Sequence, residues 1–466
     1  MRCTVLLWLL CALTATAVDR PNVVLLLADD LGGADLACYG NDLHETPHLD
    51  GLAGQGVRFT DAYAASPVCT PTRASILTGK HPARLHMTIW REAALNRGNR
   101  KLLEPVCLDS LPLEHTTLAE TLKAAGYYNA HVGKWHLGRA EAYPQAHGFH
   151  ENIGGTLWGA PQTFWYPFNG DSYFRDWRYV PDLEPSGDGD YLTDKLTDKA
   201  LAIMERQVAA RRPFFLNLWY HAVHTPIEGK PELVAHYQSR IGPQSVRRNP
   251  HYAAMVHSLD ENVGRVLAKI DELGIRERTL VIFLSDNGGF VNQCKLHKGI
   301  AVADNTPLRS GKGSCYEGGI RVPLIIRGPG VAAGEVCAEP VWSCDLLPTV
   351  LGMVGLEPVN EPIDGVSLAA LLKDPASRLA RESLHFHYPH YYPTTSPVSA
   401  VRRRDWKLLE YFEDGRIELF DLKADPGEKR NVVSDQPAVT KQLLADLRAW
   451  RESVDAQLPE RNPAKK

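Results

Sequence analysis

Four runs along the chain are apolar without the alternation of a half-buried strand. Residues 22–28 read Asn-Val-Val-Leu-Leu-Leu-Ala, and residues 280–284 read Leu-Val-Ile-Phe-Leu. Residues 214–218 and 127–132 are a third and a fourth. Continuous β-branched and leucine runs of this length predict strands buried on both faces, as in a parallel sheet with helices on either side. Each run ends in polar groups. Asp29-Asp30 follow the first and Ser285-Asp286-Asn287-Gly288-Gly289 the second. His221 and His224 follow the third, and Gly133-Lys134-Trp135-His136 the fourth. Ligands of open α/β sheets bind just beyond the carboxyl ends of the strands, so four polar ends predict one shared site.

Helical spacing fills the gaps. Residues 118–125 predict a short helix stopped by Gly126, residues 190–210 a longer one, and residues 251–273 a third with Gly274 at its C-terminus. A further helix begins near Cys69, with Pro71 in its first turn and Gly79 and Pro82 at its end. Cys69 then sits at a helix N-terminus, where free N–H groups attract an anion, and Arg73 faces the same point one turn on. Alternating strand and helix predict an α/β fold. Residues 150–192 instead form a long aromatic loop carrying Trp158, Trp165, Tyr166, Phe168, Tyr173, Phe174, Trp177 and Tyr179. They read equally as a wall of a substrate pocket or as a locally packed insertion. Beyond residue 375 the character changes. Short strands at 383–388, 398–403, 406–411 and 417–421, with a turn at Glu413-Asp414-Gly415, suit an antiparallel sheet closed by an amphipathic helix over 439–454. Residues 463–466 read as a disordered tail. The division is therefore a signal over 1–17, a catalytic domain over 18–375 and a C-terminal domain over 376–466.

At 466 residues the chain is long enough for a large core and more than one domain. A net charge of −4 gives no reason to expect nucleic acid or an anionic membrane surface as partner, so an anionic substrate must meet a local cluster of cations. Arg2, the apolar residues 5–13 and the small-x-small Ala15-Thr16-Ala17 read as a secretory signal too short to span a bilayer. No other stretch is apolar enough to cross a membrane. The chain has no Asn-x-Ser/Thr acceptor, which leans towards bacterial export, secreted or periplasmic, over a lysosomal enzyme. Cys38, Cys107, Cys294, Cys315, Cys337 and Cys344 can form up to three disulfides or stay free, with Cys337 and Cys344 close enough for a small loop.

Asp29, Asp30, Asp286 and Asn287 offer three carboxylates and an amide oxygen from two strand ends. Converging carboxylates repel unless a positive group lies between them. An all-oxygen set favours a hard cation, and Ca²⁺ accepts irregular geometry more readily than Mg²⁺. Either pair alone reads as a cap or a tight turn. His385, His387, His390, Tyr391 and Tyr392 line an outer pocket or pack at the domain junction.

Cys69-Thr70-Pro71-Thr72-Arg73 with Leu77-Thr78-Gly79, Gly133-Lys-Trp-His-Leu-Gly138, His224-Thr-Pro226 and Leu308-Arg-Ser-Gly-Lys312-Gly-Ser314 together resemble the motifs of the type I, formylglycine-dependent sulfatases, arylsulfatase A-like members of the alkaline phosphatase superfamily. The resemblance runs from about Pro21 to the C-terminus, and Thr72 stands where many members have serine. It implies a large mixed, mostly parallel sheet sandwiched by helices, plus a smaller domain with a four-stranded antiparallel sheet and a helix. It implies that a formylglycine-generating enzyme oxidises Cys69 to Cα-formylglycine, whose hydrate attacks a sulfate ester. Asp29, Asp30, Asp286, Asn287 and position 69 are then ligands of Ca²⁺, or Mg²⁺ in some members. Arg73, Lys134, His136, His224 and Lys312 are the catalytic cations and proton carriers. The expected substrate is a sulfated small molecule or glycan, such as sulfated galactose or N-acetylgalactosamine. A phosphatase or phosphonate monoester hydrolase of the same superfamily, and a non-catalytic sulfated-glycan binding protein, are the alternative readings.

Overall fold

A computed structural model describes residues 20–95, 100–172, 175–293 and 299–465. The expected signal segment, Tyr173, Phe174 and Cys294 lie outside the described residues. Strands β1 (Asn22–Ala28), β2 (Val57–Phe59), β3 (Tyr128–Gly133), β4 (Glu151–Ile153), β5 (Phe214–Trp219), β6 (Thr279–Ser285), β7 (Leu324–Arg327) and β8 (Glu335–Cys337) form one sheet. Their order is β8-β2-β7-β6-β1-β5-β3-β4. The four predicted runs are the neighbours β6, β1, β5 and β3, all parallel. Ala28 pairs with Ser285, and Trp219 lies beside both Leu27 and Gly133, so the carboxyl ends meet at one edge. Strand β7 runs antiparallel to β6 and β2, which makes the sheet mixed.

Both faces of β1 are buried, and the period of two decides which core each side chain joins. Val24, Leu26 and Ala28 pack with helices α3 (Leu192–Ala209) and α4 (Pro250–Glu272). Val23, Leu25 and Leu27 pack on the other side, with α1 (Cys69–Thr78), α2 (Leu118–Ala124) and α5 (Leu346–Met353). Each such side chain contributes about 1.5–3 kcal/mol by burial, so Leu26→Ala is expected to destabilise by about 2–5 kcal/mol. Helix α2 starts on a capping box. The Thr117 hydroxyl accepts from Glu120 N at 3.2 Å, and the Glu120 carboxylate accepts from Thr117 N at 2.8 Å. Asn249 caps α4 by accepting from the amides of His251 and Tyr252. Helix α1 is buried along its whole length, and Val68 before it provides no side-chain cap, so its first N–H groups stay available to a ligand.

The C-terminal strands β9 (Ser383–Tyr388), β10 (Val398–Arg403), β11 (Trp406–Tyr411) and β12 (Ile417–Asp421) form a sequential antiparallel sheet. Val401, Leu408 and Leu419 pack under Leu443 and Leu447 of α6 (Pro437–Ser453). Ala400, Leu409 and Phe420 face the other way, onto Tyr63, Val68 and Trp342 of the main body. A second set of charges is sealed there. Lys407 Nζ lies 2.8 Å from Glu317 Oε1 and 2.9 Å from Glu428 Oε1, with all three side chains buried.

One open reading is decided and two expectations are corrected. The cysteines that are described, Cys38, Cys107, Cys315, Cys337 and Cys344 among them, are all free, and no Cys337–Cys344 loop closes. Residues 463–465 are held in a turn, Ala464 N donating to Asn462 Oδ1 and Lys465 N to Asn462 O, each at 3.0 Å, beside the pairing of Glu460–Arg461 with Leu102–Leu103, while Lys466 lies outside the described residues. The aromatic insertion is not a bare loop. Glu151–Ile153 extends the large sheet, Asn169–Asp171 pairs with Trp177–Tyr179, and Phe164 and Phe168 are core residues.

Candidate active site

The edge where β6, β1, β5 and β3 end carries the chemistry. Asp29, Asp30, Arg73, Lys134, Asp286 and Asn287 are all buried there, as are Cys69, His136 and Lys312. Asp30 and His136 take positive φ values of 62° and 58°, an uncommon conformation for side-chain-bearing residues that is held here by the surrounding packing. Gly159 lets the chain pass close over His136, since a Cβ there would lie 2.3 Å from the imidazole Cε1.

The ions interlock. Arg73 Nε and Nη2 lie 2.8 and 2.7 Å from Asp286 Oδ2, its Nη1 donates to Lys134 O at 2.9 Å, and its guanidinium stacks over Trp219 at 5.1 Å. Lys134 Nζ donates to Asp29 Oδ2 at 2.7 Å. Lys312 Nζ lies 2.7 and 3.0 Å from the two oxygens of Asp30 and 3.4 Å from Cys69 Sγ. Asp30 N donates to Asp286 Oδ1 at 3.2 Å, and Asn287 Nδ2 to Asp30 Oδ1 at 2.8 Å. His224 Nε2 is 3.6 Å from Asp30 Oδ2. Two buried oxygens, Asp29 Oδ1 and Asn287 Oδ1, accept no hydrogen bond.

Burial and charge set the protonation states. Burial, reinforced by Asp286, pushes Asp29 up to about 7 against the pull of Lys134 and Arg73. Burial also acts to raise Asp30, but Lys312 and His224 outweigh it and hold that carboxyl well below the usual range. Burial pushes the Cys69 thiol up to about 11 despite Lys134 and Lys312. Burial lowers His136 to about 4 and takes His221 and His224 well below the ordinary imidazole value. Asp30 and Cys69 overcome burial and raise Lys312.

A cavity of about 480 Å³ opens onto this cluster and is lined by Asp30, Cys69, His136, His224 and Lys312. Trp90, Glu92, Arg178, Phe290 and Tyr392 form its outer wall. The aromatic insertion therefore contributes through Arg178, Gly159 and Ala160, while Trp158 lies beneath the Arg178 guanidinium at 5.3 Å. Of the histidines and tyrosines near residue 390, Tyr392 alone lines the cavity. His385 stacks on Trp450, His387 is hydrogen-bonded to Ser399, and His390 to Thr88.

Every predicted site residue is thus drawn to one end of the sheet. Ligating atoms of Asp29, Asp30, Cys69 and His224 lie within 4.8 Å of one another, and Asp286 joins through Arg73 and the Asp30 amide. The sequence reading missed Trp90 and Glu92, and it placed His221 at the shared strand ends without giving it a role. Glu92 lies 3.7 Å from His136, and His221 is buried with neither ring nitrogen bonded. For His221 the signal was its place at a strand end, whereas nothing local marks Trp90 or Glu92.

Residues 21–356 match the family model described as Sulfatase, and residues 311–453 match N-sulphoglucosamine sulphohydrolase, C-terminal. The chain is 34% identical to arylsulfatase A of Homo sapiens over 94% of its length and 89% of the relative's. It is 34% identical to N-acetylgalactosamine-6-sulfatase of Mus musculus over 76% of its length and 67% of the relative's. Among solved structures, Ps i-CgsB in complex with k-i-k-neocarrahexaose superposes with a TM-score of 0.77 at 29% identity, covering 94% of either chain. With buried cations and carboxylates gathered at one pocket and a family match over most of its length, the chain belongs to the sulfatase family and is a sulfuric ester hydrolase.

Proposed function

We propose that the protein hydrolyses a carbohydrate sulfate, using Cα-formylglycine made from Cys69 and a Ca²⁺ ion held by Asp29, Asp30, Asp286, Asn287 and position 69. The observation that carries this reading is the charge balance of the cluster. With Asp29, Asp30 and Asp286 ionised, three carboxylates face three cations, Arg73, Lys134 and Lys312, which leaves nothing over to attract a sulfate monoanion. A divalent ion leaves the site at about +2 and gives the unpaired oxygens of Asp29 and Asn287 a partner. All-oxygen donors suit Ca²⁺, with Mg²⁺ the alternative, and an oxygen at position 69 suits a hard ion better than sulfur does. Bound there, the ion supplies Lewis acidity towards the sulfate oxygens. A matured position 69 supplies a geminal diol, one hydroxyl to attack sulfur and a second whose deprotonation expels sulfate.

The chain's own residues divide the remaining work. Arg73, Lys134 and Lys312 bind the non-bridging oxygens, where fixed cations in a dry site stabilise developing charge. Asp286 takes the proton of the attacking hydroxyl. Lys312, which keeps its proton, delivers one to the leaving oxygen together with His224. His136, kept neutral by burial, accepts the proton of the second hydroxyl.

The substrate is a sulfated sugar, such as a galactose or N-acetylgalactosamine unit. Trp90 and Tyr392, edge to face at 5.9 Å, give the cavity flat apolar walls of the kind that stack on a sugar ring. The named activity of the mouse relative and the oligosaccharide bound to Ps i-CgsB agree with that class. Residues 18–375 form the catalytic domain, and residues 376–466 a C-terminal domain that lends Tyr392 to the pocket. A formylglycine-generating enzyme acts on the chain during export to a secreted or periplasmic location. Among the described residues, no helix is long and apolar enough to cross a membrane.

Mass analysis of the peptide containing Cys69, purified from a host that carries the maturation enzyme, tests the proposal. Sulfur is expected to be absent and an aldehyde present. Paired kinetics on one aryl group as sulfate and as phosphate ester are expected to favour the sulfate. An intact thiol in fully active protein overturns the formylglycine reading.

A further inference from the structure

Behind the pocket wall lies a second cluster of nucleophile, base and carboxylate that the sulfate chemistry does not use. Cys107 Sγ is 3.6 Å from His390 Nε2, and the Thr88 hydroxyl bridges the two, 3.1 Å from the sulfur and 2.8 Å from the same nitrogen. His390 Nδ1 faces Glu104 Oε1 at 3.6 Å, and that carboxylate is fixed by accepting from Tyr391 N at 2.8 Å. A thiol, an imidazole and an orienting carboxylate in line are the arrangement that generates a reactive thiolate. The segment carrying the sulfur runs at the surface. Val106 is 67% exposed and Leu108 44%, with Cys107 between them buried at 8%.

We propose that Cys107, activated by His390 and Glu104, is a second reactive cysteine, a modification site for hydroperoxides and other small electrophiles. The other described thiols outside the active site lack this support. Burial raises Cys38, Cys315, Cys337 and Cys344, whereas His390 outweighs burial and lowers Cys107. Cys107 and Glu104 in turn raise His390 against its burial. The titratable neighbours of the pair are Glu104, with Arg100 beside it, and His387, which burial keeps neutral. With a hydroperoxide, Sγ attacks the distal oxygen, an S–O bond forms and the O–O bond breaks. The thiolate is oxidised by two electrons to a sulfenic acid. The peroxide is reduced to water or an alcohol, with the proton supplied by His390 Nε2. Thr88 and His390 each stand two residues from a cavity-lining ring, Trp90 and Tyr392, which ties the pair to the two segments that form the pocket wall.

The test is timed alkylation of the native, full-length protein with iodoacetamide at pH 7, followed by peptide mass analysis. Cys107 is expected to react about tenfold faster than the more exposed Cys38. Hydrogen peroxide followed by dimedone is expected to label Cys107 first. His390→Gln is expected to remove the advantage, and Cys107→Ser the label, with aryl sulfate turnover retained in the serine variant. Should the His390 variant fail to fold, the pH profile of wild-type labelling decides, with its midpoint expected below that of an ordinary thiol. Labelling of Cys107 no faster than Cys38, or a midpoint at or above the ordinary thiol value, overturns the proposal.

Discussion

Lys312 and Lys407 are both buried lysines set between acidic groups, and their surroundings differ in one respect. Around Lys407 every carboxylate oxygen has a cation or a donor within 2.9 Å. Glu317 Oε1 and Glu428 Oε1 face the ammonium, Glu317 Oε2 accepts from Tyr63 at 2.7 Å, and Glu428 Oε2 accepts from Glu317 N at 2.7 Å. Around Lys312 the ring is open. Asp29 Oδ1 accepts no hydrogen bond and has its nearest cation, Arg73 Nη2, only at 3.8 Å, Asn287 Oδ1 accepts none either, and the ammonium also touches the Cys69 sulfur beside a cavity. A sealed cluster fastens the C-terminal sheet to the main body. An open one holds charge ready for something that is not part of the chain. Burial of ions alone therefore does not single out a candidate site, whereas loosely held oxygens beside a cavity do.

The largest effect that separates the two clusters is on turnover. Cys69→Ala is expected to lose about 10⁴-fold or more of aryl sulfate hydrolysis while unfolding in urea within about 1 kcal/mol of wild type. Retained turnover would remove position 69 from the chemistry. Lys407→Met is expected to do the reverse. It strands two buried glutamates, so stability falls by about 3–5 kcal/mol with KM unchanged in the protein that remains folded. A urea midpoint equal to wild type would mean that the junction cluster is dispensable.

Chelation sharpens the contrast further. EDTA is expected to lower the melting temperature of wild type, and returned Ca²⁺ to restore about 2.7 kcal/mol at a hundredfold excess over its Kd. The same increment is expected in Lys407→Met, because the clusters share no partners. A melting temperature indifferent to Ca²⁺ and Mg²⁺ alike would sink the metal reading. The smallest effect is on pH dependence. Burial, opposed by Lys407 and helped by Glu317, lifts Glu428 to about 7 from an ordinary value of 4.5. The folded protein then holds a proton that the unfolded chain has released, so this contribution to stability falls as pH rises from about 4.5 through about 7. Glu428→Gln, permanently neutral, is expected to flatten that slope in urea titrations at several pH values. An unchanged slope would assign it to another group.

Much of this was legible along the chain. Residues 22–28, 280–284 and the four C-terminal strands were readable because burial on both faces, or turns at close spacing, leaves a local mark. Strands β2, β7 and β8 left none. They are three or four residues long and exist because distant segments pair, as Arg58 does with Ile325 on one side and Val336 on the other. Helix α1 had no apolar stripe, since all its faces are covered, and was readable only through Pro71 in its first turn and Gly79 at its end. That the inner cluster would gather at one edge was readable, because its residues sit at strand ends and in short motifs. Trp90, Glu92 and the Cys107–His390 pair were not, since their partners are brought up from remote parts of the chain.

The order of residues by itself determined which side chains carry charge to the ends of the parallel strands, because strand register and α/β topology bring those ends to one edge. Folding in three dimensions decided which of those charges stay paired and which remain open. That outcome depends on distances of a few ångströms between segments hundreds of residues apart, such as Lys312 and Asp30, and no local pattern encodes such a distance.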